Sequence, residues 1–517
     1  MKESLRQSMA LFHTWSGLVF GWLLFAVFAT GTAAYFQEEI TRWMQPEVHG
    51  SVDDVTAAEN ALDFLGREAP GAKNWFITLP NNRRITTQLF WRSDDPSTGG
   101  GYNSADLDPS GAKITTRATS GGYFLYRFHF DLHYMPVILA RYLVGIAAMF
   151  MLVAILSGVI THKKIFKDFF TLRLGKGQRS WLDAHNVSAV LALPFHLMIT
   201  FTGLVTLAVL YMPWGIAANY ASPSSFYESA FATPPEVERS GNPADLAPVE
   251  EMLSTAEAHW NGARPGSISV SNPGDETAVV TITRAADAAI GAKGETLAFK
   301  GATGEPIQES LPKGPALQTQ SVMIGLHAGR FADWGLRWLY FLSGIGGTIM
   351  VGSGLVMWTA KRRSRLDNPA RPHFGFRLVE RLNLVAITGF SAGIANYFLA
   401  NRLLPLTMEG RAEWEVNCLF LTLAAVALLS VLRPIRKCSI EMLSVTALLY
   451  LAVPVVNAVT TNRGLGASLL NGDYIFAGFD LAMLLLASLF AYATHKLRSR
   501  QPAVVKTRPR MAAEART

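Results

Sequence analysis

Histidine is the residue whose spacing points to chemistry in this chain. His13 opens the run His13-Thr14-Trp15-Ser16-Gly17, and the apolar segment that follows closes on Thr30-Gly31. His185 opens His185-Asn186-Val187-Ser188-Ala189, and its segment closes on Thr202-Gly203, with the same offset of eighteen from His to Gly. A second match runs from Leu132-His133 through Arg141 to Ser157-Gly158, and from Leu326-His327 through Arg337 to Ser353-Gly354. Seventeen positions separate the Arg from its Gly in both copies. Self-similarity at this scale marks a duplicated unit.

An ionisable side chain in or beside an apolar span is a functional candidate, because burying it is costly without a partner. Histidine is also the common axial ligand of b-type haem. Along a straight helix His13 lies about 27 Å from Gly31, which sets His13 near one membrane face and Gly31 near the other. His185 stands in the same relation to Gly203, whereas His133 and His327 precede their spans. A pseudo-twofold axis along the membrane normal would make equivalent residues face each other. Symmetry therefore predicts His13 with His185 at the inner face and His133 with His327 at the outer one, as axial ligands of two haem groups.

Other histidines leave alternatives open. His162 ends the second span, and His196 follows Pro194 on nearly the same helix face as His185; either replaces a member of the inner pair or serves a further haem, while the plain reading of His196 is a polar group at a proline kink. His129, one helical turn from His133, is the reserve candidate for the outer pair. His49, His259, His373 and His495 read as surface residues. Arg141 and Arg337 suit bidentate contact with haem propionates or anchorage among lipid headgroups. Gly31, Gly158, Gly203 and Gly354 suit close helix packing or room for a flat macrocycle.

The elements that position these residues are membrane helices. Half of the 517 residues are apolar, and segments near the roughly 20 residues needed to span a bilayer fall at about 11–36, 138–161, 186–212, 337–360, 381–400, 415–432, 440–460 and 475–495. Basic clusters such as Lys163, Lys164 and Lys167, then Lys361, Arg362 and Arg363, then Arg433, Arg436 and Lys437, recur on alternate loops. By the positive-inside rule both termini are cytoplasmic. The net charge of +7 is thus a topology signal, and nucleic acid is not an expected partner. The first apolar run is too long for the core of a signal peptide and has an internal copy at 185–203. Two cysteines, Cys418 and Cys438, provide neither a disulfide framework nor a four-cysteine iron–sulfur site. There is no dinucleotide fingerprint, P-loop or H-E-x-x-H motif, so electrons must come from another molecule.

These signals predict a polytopic α-helical membrane protein of about eight spans, built on a duplicated helix–outer domain–helix unit. Residues 1–36 form the first span and 37–137 a first outer module. Residues 138–212 hold the second and third spans with a basic loop, and 213–336 a second outer module. Residues 337–365 form the fourth span, 366–497 an accessory four-helix bundle, and 498–517 a basic tail. Each outer module reads as a small α+β unit: a helix at Val55–Arg67 or Pro248–Trp260, then short strands. The Gly99-Gly100-Gly101 run reads as a loop.

The phrases Phe12-His13-Thr14-Trp15-Ser16-Gly17-Leu18, Leu132-His133, Ser157-Gly158-Val159-Ile160-Thr161-His162-Lys163-Lys164-Ile165-Phe166, Asp183-Ala184-His185-Asn186 and Leu326-His327-Ala328-Gly329 resemble the PepSY-associated transmembrane helix family, over about residues 5–365. The resemblance implies PepSY-like outer domains in the periplasm and a place in the inner membrane of Gram-negative bacteria. Some members are iron-regulated di-haem reductases that release iron from siderophores, and the family's motif histidines correspond to His13, His133, His185 and His327. His162 and His196 belong to a longer variant of the pattern.

The expected function is a haem b-containing ferric-chelate reductase, fed by quinol or a cytoplasmic reductant and acting on a ferric siderophore. Membrane lipid and periplasmic or inner-membrane proteins are its further expected partners. Two alternatives stand beside it. One is a PepSY-type binding or scaffold protein with structural histidines. The other is a secondary transporter, which the scarcity of acidic residues within the spans argues against.

Overall fold

The computed structural model describes residues 4–499 apart from 94–100, 162–170, 174, 231–236, 292–293, 311–313, 364, 367 and 369–370. The chain is mostly helical. Its helices are α1 (Leu5–Val19), α2 (Gly21–Ala34), α3 (Gln37–Met44), α4 (Asp54–Glu68), α5 (Gly121–Asp131), α6 (Val137–Thr161), α7 (Gln178–Leu191) and α8 (Leu193–Thr206). They continue with α9 (Val249–His259), α10 (Pro315–Ala328), α11 (Trp334–Arg363), α12 (Phe374–Leu403), α13 (Arg411–Leu432), α14 (Ile435–Thr460) and α15 (Tyr474–Ser499). Short helical turns lie between 208 and 230 and at Leu465–Leu470.

Among the described residues six helices, α6 and α11 to α15, are long and apolar enough to cross a membrane. The number rises to eight if α1 with α2, and α7 with α8, each count as one broken span. This is a polytopic helical membrane protein, with spans close to those expected. The straight-helix depth of the histidines needs correction, because α1 meets α2 at 66° and α7 meets α8 at 70°. Pro194 explains the second break. It has no N–H to continue the ladder of α7 but suits the first turn of a new helix, and it lies there in α8.

The chain divides into two compact units. The first comprises residues 1–172, 184–351 and 403–416 and contains all the strands among the described residues. These are β1 (Asn74–Thr78), β2 (Thr87–Ser93), β3 (Gly101–Leu107), β4 (Pro265–Ser271), β5 (Val279–Arg284), β6 (Thr296–Lys300) and β7 (Pro306–Ser310). The sequence reading expects two separate modules at 37–137 and 213–336. Instead their strands make one antiparallel sheet in the order β3-β2-β1-β4-β5-β6-β7. The seam is β1 against β4, with Trp75 opposite Val270 and Ile77 opposite Ile268. Taken alone, each half would leave β1 or β4 as an open edge, and pairing the two satisfies backbone groups that would otherwise lie unpaired.

One face of the sheet is covered by α4 and α9. Ala57, Ala58, Ala61 and Leu65 from α4, with Met252, Leu253 and Ala256 from α9, bury Trp75, Ile77, Leu89, Ile268, Val270, Val280, Ile282 and Phe299. The alanine stripe lets the helix lie close to the strands. Each fully buried large apolar side chain contributes about 1.5–3 kcal/mol. Asp53 caps α4, its Oδ1 accepting from Thr56 N at 2.9 Å, which satisfies one of the unpaired donors of the first turn. Arg83, in the β1–β2 turn, donates to Glu39 Oε1 at 2.7 Å and to Tyr35 O at 2.7 Å, fixing the sheet to the end of α2 and the start of α3.

The second unit comprises residues 173–183, 352–402 and 417–517. Most of α12 to α15 belongs to it, α12 carrying a π-helical turn at Leu384–Gly389. Three of its buried polar side chains are linked: Arg402 Nε donates to Asn457 Oδ1 at 3.0 Å, and Asn457 Nδ2 donates to Asp480 Oδ2 at 3.1 Å.

Candidate functional site

Four histidines of the first unit obey one contact rule. His13 Nδ1 lies 2.8 Å from Ala154 O, and His185 Nδ1 lies 2.8 Å from Met350 O. His129 Nδ1 lies 2.7 Å from Val27 O, and His327 Nδ1 lies 3.0 Å from Ile199 O. Each accepting carbonyl belongs to the residue four before a glycine of the repeated motifs: Val27 before Gly31, Ala154 before Gly158, Ile199 before Gly203, Met350 before Gly354. A carbonyl can only accept, so Nδ1 carries the proton and Nε2 the lone pair.

The glycines make room for this approach. A Cβ on Gly31 would sit 2.6 Å from His129 Cε1 and Nδ1, and one on Gly203 would sit 2.9 Å from His327 Cε1. On Gly158 it would sit 3.2 Å from His13 Cε1. These glycines therefore admit imidazole rings to the helix surface. The hydroxyls of the motifs are satisfied within their own helices, Thr30 on Ala26 O at 2.8 Å and Thr202 on Met198 O at 2.7 Å. Ser16 and Ser188 do the same with Phe12 O and Ala184 O.

The rings meet in two pairs. His13 and His185 have centroids 6.0 Å apart with planes at 75°. His129 and His327 are also 6.0 Å apart, with planes at 30°. The first pairing is the one symmetry predicts. In the second, His129 stands where His133 was expected. The reason is the end of α5: Leu132 has φ +52° and Tyr134 φ +56°, so the chain leaves the helix before His133. His133 Nε2 then lies 3.2 Å from Glu413 Oε1. The identical dipeptides Leu132-His133 and Leu326-His327 concealed this. The signal that reveals His129 is its place four residues after Leu125 and one after Phe128, on the buried face of α5.

Burial lowers the His129 imidazole below its usual value, and burial together with the neighbouring His129 pushes His327 down to about 3. Both shifts favour the neutral imidazole, the form that ligates a metal. With metal–imidazole nitrogen bonds of about 2 Å on each side, two axial rings would have centroids about 6 Å apart. Donor type, tautomer and spacing therefore fit a bis-histidine iron site at each pair.

The remaining candidates fall elsewhere. His196 is fully buried in α8, with Nε2 3.3 Å from Ser343 O and its ring edge-on to Phe28. Among the described residues its Nδ1 has no hydrogen-bond partner and no second histidine ring is placed against it. His162 lies outside the described residues. Arg141 Nε donates to Asp131 Oδ1 at 2.7 Å, so its guanidinium already holds a carboxylate two residues beyond His129. Arg337 donates to Ala332 O at 2.9 Å and lies 3.5 Å from Glu39 Oε1. Among the described residues there is no group of three or more His, Cys, Asp or Glu side chains suited to hold a bare metal ion.

Comparison with known proteins agrees with this architecture. An uncharacterized protein of Pseudomonas aeruginosa is 25% identical over 310 residues, covering 57% of this chain and 76% of the relative. The description PepSY-associated TM region matches residues 10–361, a stretch that includes both histidine pairs, every strand and most of α11. The chain belongs to the family of proteins with the PepSY-associated transmembrane region.

Proposed function

We propose that this protein is an inner-membrane haem-containing reductase that moves electrons across the membrane to a periplasmic ferric siderophore or other ferric chelate and so releases iron. In this reading both termini are cytoplasmic, the helix–sheet–helix segments are two copies of one unit, and the seven-stranded sheet is a pair of PepSY-like modules joined at β1 and β4. The observation that carries it is the shared contact rule of His13, His185, His129 and His327. His13 with His185, and His129 with His327, would hold haem b, which would supply one-electron chemistry when bound.

The chain's own residues do the positioning. Ala154, Met350, Val27 and Ile199 accept the Nδ1 protons and so turn each Nε2 lone pair away from its supporting helix, the outer-shell role that orients ligating histidines. The apolar helices around them exclude water. Arg141 and Asp131 tie the end of α5 to α6 beside His129. Reduction of the ferric substrate weakens its hold on hard oxygen donors, which is how a single electron frees the metal. Quinol or a cytoplasmic reductant is the electron donor that fits.

A dithionite-reduced minus oxidised spectrum of the purified protein tests the proposal. Soret and α bands of a b-type haem are expected, and their absence refutes it in favour of a PepSY-type binding or scaffold protein. His129→Ala should lose haem while His133→Ala keeps it; the reverse result overturns the ligand assignment.

A further inference from the structure

Residues 403–416 belong to the first unit, and the opening turns of α13 within this stretch close on α5, the helix that carries His129. Arg411 and Glu415 form an ion pair one helical turn apart, with both side chains fully buried. Each also reaches the chain just ahead of α5. Arg411 Nη1 donates to Ala118 O at 2.9 Å, and Glu415 Oε2 accepts from Thr119 Oγ1. Thr119 Oγ1 in turn accepts from Gly121 N, the first residue of α5, at 3.1 Å. A buried ion pair is costly to desolvate and by itself is weak evidence of stabilisation. What this pair adds is a fixed grip on the two residues that precede the Ser120 cap.

The rest of α5 is confined as well. On the α3 side Gly122 N donates to Thr41 Oγ1 at 2.9 Å. A Cβ on Gly122 would meet Gln37 O at 2.1 Å, so α5 has no room to move closer to α3. Past the end of α5 the His133 ring turns back edge-on to Phe124, with centroids 5.8 Å apart, and its Nε2 meets Glu413 of the same α13 turn. That contact is partly exposed, and such pairs contribute little. The buried pair is therefore the firmer anchor, and His129 lies between the two.

We propose that Arg411 and Glu415 are positioning residues of the His129–His327 pair, holding the start of α5 so that the His129 ring stays 6.0 Å from that of His327. They act through Ala118, Thr119 and the body of α5. The inference deepens the haem reading and rests on it for its spectroscopic test, whereas the hold on α5 can be followed without haem.

Two variants of the full-length protein in detergent test this. Thr119→Val removes the hydroxyl that joins α5 to Glu415 and leaves the ion pair in place. Arg411→Met combined with Glu415→Met replaces the pair by apolar side chains, an exchange that is often neutral for stability, and ends both grips on α5. In each variant the α5 amides should exchange hydrogen at least about tenfold faster, the equivalent of one charge-assisted hydrogen bond, with α10 unchanged. Redox titration should show a shifted potential for the His129–His327 site and an unshifted one for the His13–His185 site, with His129→Ala telling the two apart. A pair that only stabilises predicts the opposite: a double variant as stable as wild type would regain wild-type exchange and potential, and that result overturns the proposal. Wild-type exchange and potential in Thr119→Val overturn it too. Circular dichroism checks folding, and should the double variant not fold, Thr119→Val decides. Absence of haem from the wild-type protein refutes the haem reading, and the exchange rates then decide alone whether the pair holds α5.

Discussion

The two histidine pairs have the same centroid separation of 6.0 Å and the same Nδ1 contact, yet they are held differently. His13 and His185 sit on the first halves of bent spans and lean on α6 and α11. His129 and His327 sit on α5 and α10, helices that follow β3 and β7 in the chain and lean on α2 and α8. The first pair is a product of membrane helix packing alone. The second is placed by helices that follow strands in the chain, α5 packing on α2 and α3 and α10 packing on α8. The difference teaches that one histidine-pair geometry can be reached from two kinds of support, and that the supports should fail separately.

The largest effect should come from the ligands themselves. Alanine at His13 or His185 should remove the haem of that pair and leave the other, and alanine at His129 or His327 should do the converse. Each variant should then retain roughly half of the haem absorbance, as expected for two bis-histidine sites. Retention of full absorbance by any of the four removes that residue from the ligand set. Redox titration of the survivors would assign a potential to each pair.

The next effect separates the pairs by their glycines. A methyl group at Gly31 meets the His129 ring at 2.6 Å, whereas one at Gly158 meets the His13 ring at 3.2 Å. Gly31→Ala must displace an imidazole or a helix, an overpacking cost of about 1–3 kcal/mol, and should lower occupancy of the His129–His327 site. Gly158→Ala needs a shift of only a few tenths of an ångström and should leave the His13–His185 site nearly filled. Equal loss in the two variants, measured as haem per protein, would show that the clearances do not govern ligation.

A smaller effect tests the sheet's part in this. Trp75 is buried at the seam, opposite Val270, and Trp75→Ala should cost about 3–5 kcal/mol of domain stability. If α5 and α10 are set by the sheet, the spectrum of the His129–His327 site should broaden or shift in this variant while that of the His13–His185 site is unchanged. A uniform response would collapse the distinction between the two supports.

How much of this was legible follows the length scale of each signal. The spans were readable because about twenty apolar residues in a row have few other meanings, and the His13–His185 pairing because both histidines open equivalent segments. Helices α4 and α9 were readable from amphipathic spacing. The single sheet was not, because pairing between β1 and β4 joins residues nearly two hundred positions apart and leaves no local mark. β7 was missed for its brevity and leading proline, and the strand-and-turn character read at Asp106–Ile114 only overlaps the end of β3, because Gly101 looked like the tail of a loop. His129 was passed over for His133 because a matching dipeptide outweighed a helix-end signal. The break between α1 and α2, which has no proline, has no comparable cue.

The smallest effect concerns the start of α4, remote from both pairs. Thr56 N and Thr56 Oγ1 donate to Asp53 at 2.9 and 2.8 Å, and these bonds hold its carboxyl below the usual carboxylate range. Asp53→Ala should destabilise the sheet domain by about 1 kcal/mol, the ordinary cost of losing a helix cap. Because the carboxyl is depressed in the folded state, its contribution is complete above the unfolded pKa of about 3.9 and fades as pH falls through the lower folded value. Thermal unfolding followed by tryptophan fluorescence should therefore give a gap between the two proteins that is constant from neutral pH down to about 5 and narrows below 4. The haem spectra should not differ at any pH where both are folded, because a frayed first turn of α4 leaves the seam and the helices α5 and α10 in place. A spectral change at the His129–His327 site would mean that this pair senses even the edge of the sheet domain, which would make the coupling stronger than the seam alone requires.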